Sequence, residues 1–112
     1  MTPDKFHEEI KQLKQMVMDM GQFAQGMMCD SVEALKKQDT ELARSVDERK
    51  NKIAEMDEHI EQKALLLLTL HQPMASDLRT IATCLKIITY LTRIGRYGKD
   101  IANVAIALSE KP

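Results

Sequence analysis

The sequence predicts an all-α fold: an up-down-up bundle of three long antiparallel helices, with the rod-like outline of a spectrin repeat. Three observations point there. Apolar residues recur at alternating spacings of three and four along three segments, each longer than thirty residues. Glycine and proline are scarce, at four and three residues in 112. The breaks between segments span only a few residues, and long rods joined by short turns must pack antiparallel. Nothing in the spacing supports a strand. Residues 1–112 are read as a single domain, large enough to bury a modest core without disulfides or metals.

Helix one is expected over about residues 3–37. Pro3 suits a first helical turn, where its missing amide hydrogen costs nothing. Phe6, Ile10, Leu13, Val17, Met20, Ala24, Met27 and, after a polar Ser31, Leu35 form its seam. Gln38 and Asp39 mark a turn, with Asp39 or Thr40 placed to cap the next helix. Helix two, about residues 40–71, repeats Val46, Ile53, Ile60 and Leu67 every seven positions, flanked by Leu42, Met56 and Leu70. Its outer faces carry Glu48, Arg49, Lys52, Glu55, Asp57, Glu58, Glu61 and Lys63, a run expected to be solvated. Pro73 lacks an amide hydrogen, so the chain must break near Gln72, and the same proline can open helix three, about residues 74–110.

In helix three Leu78, Ile81, Leu85, Ile88, Leu91, Ile94, Ile101, Ala105 and Leu108 fall on more than one seam. That stripe is wider than two neighbouring helices require. A second chain is expected on it, through Ile88, Leu91, Gly95 and Gly98, the two glycines allowing another backbone to come near.

Composition excludes several classes. A formal charge of -1 and 4% aromatic residues leave no basic, aromatic-interleaved stripe for nucleic acid. The longest apolar run, residues 64–70, is far short of the ~20 that span a bilayer. The acidic Asp4, Glu8 and Glu9 stand where a signal peptide needs an apolar core, so a cytoplasmic location is expected. Cys29 and Cys84 are isolated and read as reduced, packed thiols. Of the eight methionines, Met16, Met20 and Met27 read as core filling, with Met18 and Met28 as exceptions. Glu55 and His59 are spaced i,i+4, and His7 precedes Glu8 without the second histidine of an H-E-x-x-H site; both read as surface features. No nucleophile with a neighbouring base, no glycine-rich phosphate loop and no paired catalytic acids occur, so no enzymatic activity is expected.

Residues 71–79, His-Gln-Pro-Met-Ala-Ser-Asp-Leu-Arg, followed by residues 86–97, Lys-Ile-Ile-Thr-Tyr-Leu-Thr-Arg-Ile-Gly-Arg-Tyr, carry the most specific pattern in the chain. This stretch resembles the signature of the PhoU family of phosphate-uptake regulators, Q-P-x-A-x-D-L-R and then K-I-x-x-D-L-E-R-I-G-D. Met20-Gly21, Ala34-Leu35 with Asp39, and Leu42-Ala43 with Val46 and Ile53 extend the likeness to nearly the whole chain. Members of that family usually hold two three-helix repeats. One is found here, so the resemblance implies a homodimer or higher oligomer that rebuilds the twofold arrangement.

The resemblance also implies a site. In the family, paired carboxylates hold iron or zinc; here the matching positions are Lys50, Ala54, Thr92 and Arg96, with Tyr90 in place of a further Asp. Cationic side chains repel a divalent ion, so no metal cofactor is expected. Lys50, Arg93 or Arg96 is expected to supply as fixed charge what the metal supplies elsewhere, balancing acids among Asp47, Glu55, Glu58, Asp77 and Asp100, with Arg96 and Asp100 paired i,i+4. The implied role is an adaptor that regulates phosphate transport by binding the transporter or a sensor histidine kinase, with membrane contact only through that partner. The expected contact surface is His71, Pro73, Asp77 and Arg79, with the pocket around Arg93, Arg96 and Asp100. Two alternatives remain: a metal-binding helical protein in which Asp77, Asp100 and Glu55 meet across an oligomer, and a purely structural self-assembling bundle.

Overall fold

The computed structural model describes residues 3–71 and 73–110; the expected break at Gln72 lies outside them. Its helices are α1 (Pro3–Lys37), α2 (Thr40–Glu48), α3 (Lys50–Leu70) and α4 (Ala75–Ser109). There is no strand among the described residues. The helices form an up-down-up bundle 63 Å long and 18 by 16 Å across, as rods of 35 residues rising ~1.5 Å per residue require. No described helix is long and apolar enough to cross a membrane.

The seam of α1 is buried from Phe6 through Met27, and Ser31 follows it into the interior, its hydroxyl donating to the Met28 carbonyl at 2.7 Å. Beyond Ser31 the expectation is corrected. Alternation by four and three leads from Ser31 to Ala34, which is fully buried, and not to Leu35, which is 38% exposed. The helix ends where Gln38 takes a left-handed conformation, φ 55°, and the Asp39 amide donates to the Ala34 carbonyl at 2.9 Å. This satisfies a carbonyl left over at the helix end. The Asp39 side chain then caps the next helix by accepting from the Leu42 amide at 3.0 Å.

The second rod is not one uninterrupted helix. At Arg49, φ -73° and ψ -9°, the amide donates to the Val46 carbonyl, a tighter turn than an α-helix makes, and α2 gives way to α3. No glycine or proline marks that position. The Arg49 guanidinium reaches across to Asp30 of α1 at 2.8 Å and back to Ser45 at 3.3 Å. Val46, Ile53, Ile60 and Leu67 nevertheless keep one buried line through the break, while Leu70 is exposed.

In α4 the inward line is Ile81, Cys84, Ile88, Gly95, Gly98, Ala102 and Ala105; Leu78 and Leu108 face solvent. Here the expected oligomer face is corrected. Ile88, Gly95 and Gly98 are buried within the chain, and half-buried Leu91 points at Gly21 of α1. A Cβ added to Gly98 would stand 3.1 Å from the backbone carbonyl of Met27 and 3.2 Å from the Met28 nitrogen. Gly98 admits this chain's own α1 and Gly95 the Ile53 side chain of α3, which comes 2.7 Å from where a Cβ would stand; neither is left open for another chain. Of the two cysteines only Cys84 is packed, its thiol pushed up by burial; Cys29 is exposed. Met20 and Met27 fill the core and Met16 packs against it, whereas Met18 is exposed.

Polar ties that join α1 to the other rods include Lys63 of α3 with Glu9, Arg49 with Asp30, and Asp77 of α4 with His7 at 3.6 Å. Hydrogen bonding to Lys63, with its charge, holds the Glu9 carboxyl below the usual range.

Two tests follow from this packing. Backbone atoms cannot yield at Gly98, so overpacking should outweigh alanine's helix preference and Gly98→Ala should destabilise by about 1–2 kcal/mol. At Gly21 an added Cβ meets nothing closer than Leu91 at 3.9 Å, so Gly21→Ala should stabilise by up to ~1 kcal/mol. Urea unfolding followed by circular dichroism reads both; equal signs would count against the α1–α4 contact. For Glu9, a lowered folded-state pKa means a stabilising contribution that is present above the unfolded-state value and lost as pH falls through the folded one. Glu9→Gln should therefore be less stable than the parent at neutral pH, the two urea midpoints converging as the solution is acidified through the carboxylate range. Midpoints that stay parallel with pH would remove the pair as a stabilising tie.

Candidate functional site

The groove between the second rod and α4 is where chemistry-bearing side chains gather. The helices run antiparallel, so residues descending one meet residues ascending the other. At one end Asn103 donates to Asp47 at 3.2 Å; at the other Thr92 donates to Asp57 at 3.2 Å. Between these two crossings lies a cavity of about 130 Å³. Its floor is Ile53 and Gly95, and its walls are Lys50 and Ala54 on one side, Thr92, Arg96 and Lys99 on the other. Ile53 stands where a side chain at Gly95 would be, its Cδ1 2.7 Å from the position of an added Cβ, and at Ala54 only a methyl group reaches the groove, one helical turn from Lys50.

Lys50, Ala54, Thr92 and Arg96 are the four positions at which the resemblance places carboxylates and a metal ion, and the fold brings all four to one cavity. As they stand they do not fit a divalent cation: two are cationic, one is a methyl group and one is a hydroxyl already donating to Asp57. Among the described residues no group of three or more His, Cys, Asp and Glu side chains is placed to hold a metal ion.

The charges around the cleft are only partly matched. Lys50 lies 3.4 Å from Asp47 on the preceding turn, and Lys99 lies 3.6 Å from Asp100. The expected pairing of Arg96 with Asp100 is not made; Asp100 leans to its neighbour Lys99 and is 59% exposed. Arg96 has no ion pair or hydrogen bond among the described residues. Arg93 does not line this cavity; its guanidinium lies 5.8 Å from the centre of the Tyr90 ring, and it borders an adjoining, more open space with Asp57, Thr89, Thr92 and Arg96, so that Arg96 stands between the two. Sequence reasoning missed Lys99, although it stands seven residues from Thr92 and three from Arg96, on the same helical face.

The other expected contact residues lie elsewhere. His71 packs its ring 5.0 Å from that of Phe6, and its Nε2 is buried without a hydrogen-bond partner among the described residues. Pro73 precedes the first turn of α4, Asp77 is held by His7, and exposed Arg79 lines a separate cavity with Lys14, Thr83 and Cys84. Sixteen residues separate Asp77 from Arg93, ~24 Å along the helix, so these are two surfaces and not one. Around the first lie exposed Leu66, Leu70, Met74 and Leu78.

A further face of α4 carries Ile87, Tyr90, Ile94, Tyr97, Ile101, Val104 and Leu108, again spaced by three and four, one residue out of step with the buried line. Tyr90, Tyr97, Val104 and Leu108 are each more than half exposed. Sequence reasoning found the excess apolar width of this helix but assigned it to the inward line. The alternation of Ile87, Tyr90, Tyr97 and Val104 was the signal available.

Comparison with known proteins bears on this geometry. A family model described as the PhoU domain matches residues 17–105. The phosphate-specific transport system accessory protein PhoU homolog of Clostridium acetobutylicum is 37% identical over 103 residues, covering 91% of this chain and 47% of that protein. Its counterpart in Rhizobium meliloti is 38% identical over 104 residues, covering 93% and 44%. The crystal structure of PhoU from Pseudomonas aeruginosa matches with a TM-score of 0.91 at 33% identity, covering 94% of this chain and 50% of that one. The chain spans about half the length of these relatives.

Proposed function

The chain belongs to the PhoU domain family, and from that premise we propose that it is an accessory regulator of phosphate transport, acting in the cytoplasm by docking on other proteins and not by catalysis. Its partner in this reading is the phosphate transporter or the sensor histidine kinase that reports on it. The observation that carries the reading is the match over residues 17–105 to proteins whose names place them in the phosphate-specific transport system. No metal cofactor enters this reading, since Lys50 and Arg96 occupy the ligand positions.

The unit assembles, in this reading, with a second copy of itself through the outer line of α4. Six of the seven side chains between Ile87 and Leu108 in that line lie within ~30 Å of helix and none is charged, which suits an isologous contact between two like helices. The relatives, about twice as long, carry as much chain again beyond the matched segment.

Cells deprived of this chain should go on importing labelled phosphate at the starved rate after phosphate is restored, where parent cells slow; superimposable uptake curves would end the regulatory reading. For assembly, light scattering after size exclusion should give twice the chain mass. Replacing Tyr97 and Val104 together by Glu should give a monomer of unchanged helicity, because both side chains are more than half exposed. A monomeric parent at high concentration, or a variant that still dimerises, would move the interface elsewhere.

A further inference from the structure

We propose that the cleft between α3 and α4 binds a small oxyanion of the phosphate class, gripped by Arg96 and flanked by Lys50 and Lys99. The cavity lining holds these three cations and no carboxylate. A pocket so lined attracts anions for the reason that it repels divalent metal ions.

Arg96 is the centre of the argument. Arg49 is committed to Asp30 and Arg93 lies over Tyr90, but the Arg96 guanidinium has no ion pair or hydrogen bond among the described residues. Its fork of N–H donors is left for a ligand, and that fork matches the oxygens of a phosphate two at a time. Lys50 and Lys99 are held only at 3.4 and 3.6 Å by Asp47 and Asp100, contacts at the long end for an ion pair, and half-exposed Lys50 can turn to a ligand at little cost.

Position within the groove is set by the acids around it. Asp57 closes the far end, and since the Thr92 hydroxyl donates to it, that hydroxyl offers a ligand lone pairs and no proton. The anion therefore sits on the Lys50 and Lys99 side of Arg96, over Gly95. A cavity of about 130 Å³ takes one such ion with a few waters, each occupying ~30 Å³ of liquid. A doubly charged phosphate suits three cations better than a singly charged carboxylate does. This inference rests on the cleft's charge and shape and stands apart from the regulatory reading; failure of the uptake experiment would leave it untouched.

The test is a titration of the intact, isotopically labelled chain, followed by amide NMR at constant ionic strength, with inorganic phosphate, glycerol phosphate and chloride in parallel. Saturable shifts at Ala54, Gly95 and Arg96 are expected with the phosphates and none with chloride. Arg96→Gln should weaken binding at least tenfold while leaving helicity and thermal midpoint unchanged, because it removes no contact within the chain; Lys50→Gln should weaken it less. Tighter binding of inorganic phosphate identifies a free ion as the ligand, and tighter binding of glycerol phosphate a phosphomonoester on a larger molecule; either supports the site. Shifts that are linear, that chloride reproduces, or that survive in Arg96→Gln overturn it, as does saturable binding of zinc or ferrous ion at the same residues.

Discussion

The fold depends on how closely α4 lies against α1 at Gly98. With the Met27 carbonyl and Met28 nitrogen 3.1 and 3.2 Å from where a Cβ would stand, the two backbones are nearly in contact there. The buried line of α4 is accordingly small over its second half, Gly95, Gly98, Ala102 and Ala105, after the larger Ile81 and Ile88 of its first half. Met27, fully buried, reaches toward Gly95 with its sulfur and occupies volume that a glycine cannot. The bundle is thus held by large side chains toward one end and by close backbone approach toward the other. The glycines that each cost ~1 kcal/mol in helix propensity are offset by contacts that only they permit.

Seating α4 so deeply gives it three distinct faces, each one residue out of step with the next. Residues 81, 84, 88, 91, 95, 98, 102 and 105 meet the core. One position later, Thr92, Arg96, Lys99 and Asn103 border the groove shared with the second rod. One position earlier runs the line from Ile87 to Val104, in which Ile87, Tyr90, Tyr97 and Val104 are exposed and Ile94 and Ile101 half-buried. Consecutive helical residues are about 100° apart, so the groove and the outer line lie on nearly opposite sides of the same rod. A partner seated on one face does not cover the other, and any influence between them must pass through α4 or the core beneath it.

Much of this was legible in the sequence because periodicity encodes burial directly. The 4-3 alternation of α1 could be followed from Phe6 to Met27, and it failed only where Ser31 made the next apolar residue, Leu35, look preferable to the smaller Ala34. In α4 the opposite difficulty arose: two apolar lines one residue apart cannot be sorted by hydrophobicity, since the inward one carries glycine and alanine and the outward one isoleucine and tyrosine. Only the neighbouring backbone decides between them. The break at Arg49 left no trace, because it needs neither glycine nor proline and is accompanied by a long-range pair with Asp30. The cleft was better foreshadowed. Lys50, Ala54, Thr92 and Arg96 were marked by their departure from a motif, and helical spacing then brought them to one cavity. Arg93 and Asp100, though spaced i-3 and i+4 from Arg96, are drawn to other partners, Arg93 to the Tyr90 ring and Asp100 to Lys99.

The groove also shows why the charges in the cleft are free to act on something outside the chain. Three cations lining one groove between two helices ought to push those helices apart unless something else joins them. Here that work falls to two crossings with neutral donors, Asn103 to Asp47 and Thr92 to Asp57, one at each end of the cavity. Each leaves a carboxylate partly satisfied just outside the cleft, where its negative charge moderates repulsion among Lys50, Arg96 and Lys99 without entering the cavity. Because the helices are already joined, Arg96 has no structural debt to discharge, and its guanidinium stands as a fixed charge that no chelator can withdraw. A lining of three cations and no carboxylate, already held in place by bonds outside it, suits a ligand of negative charge.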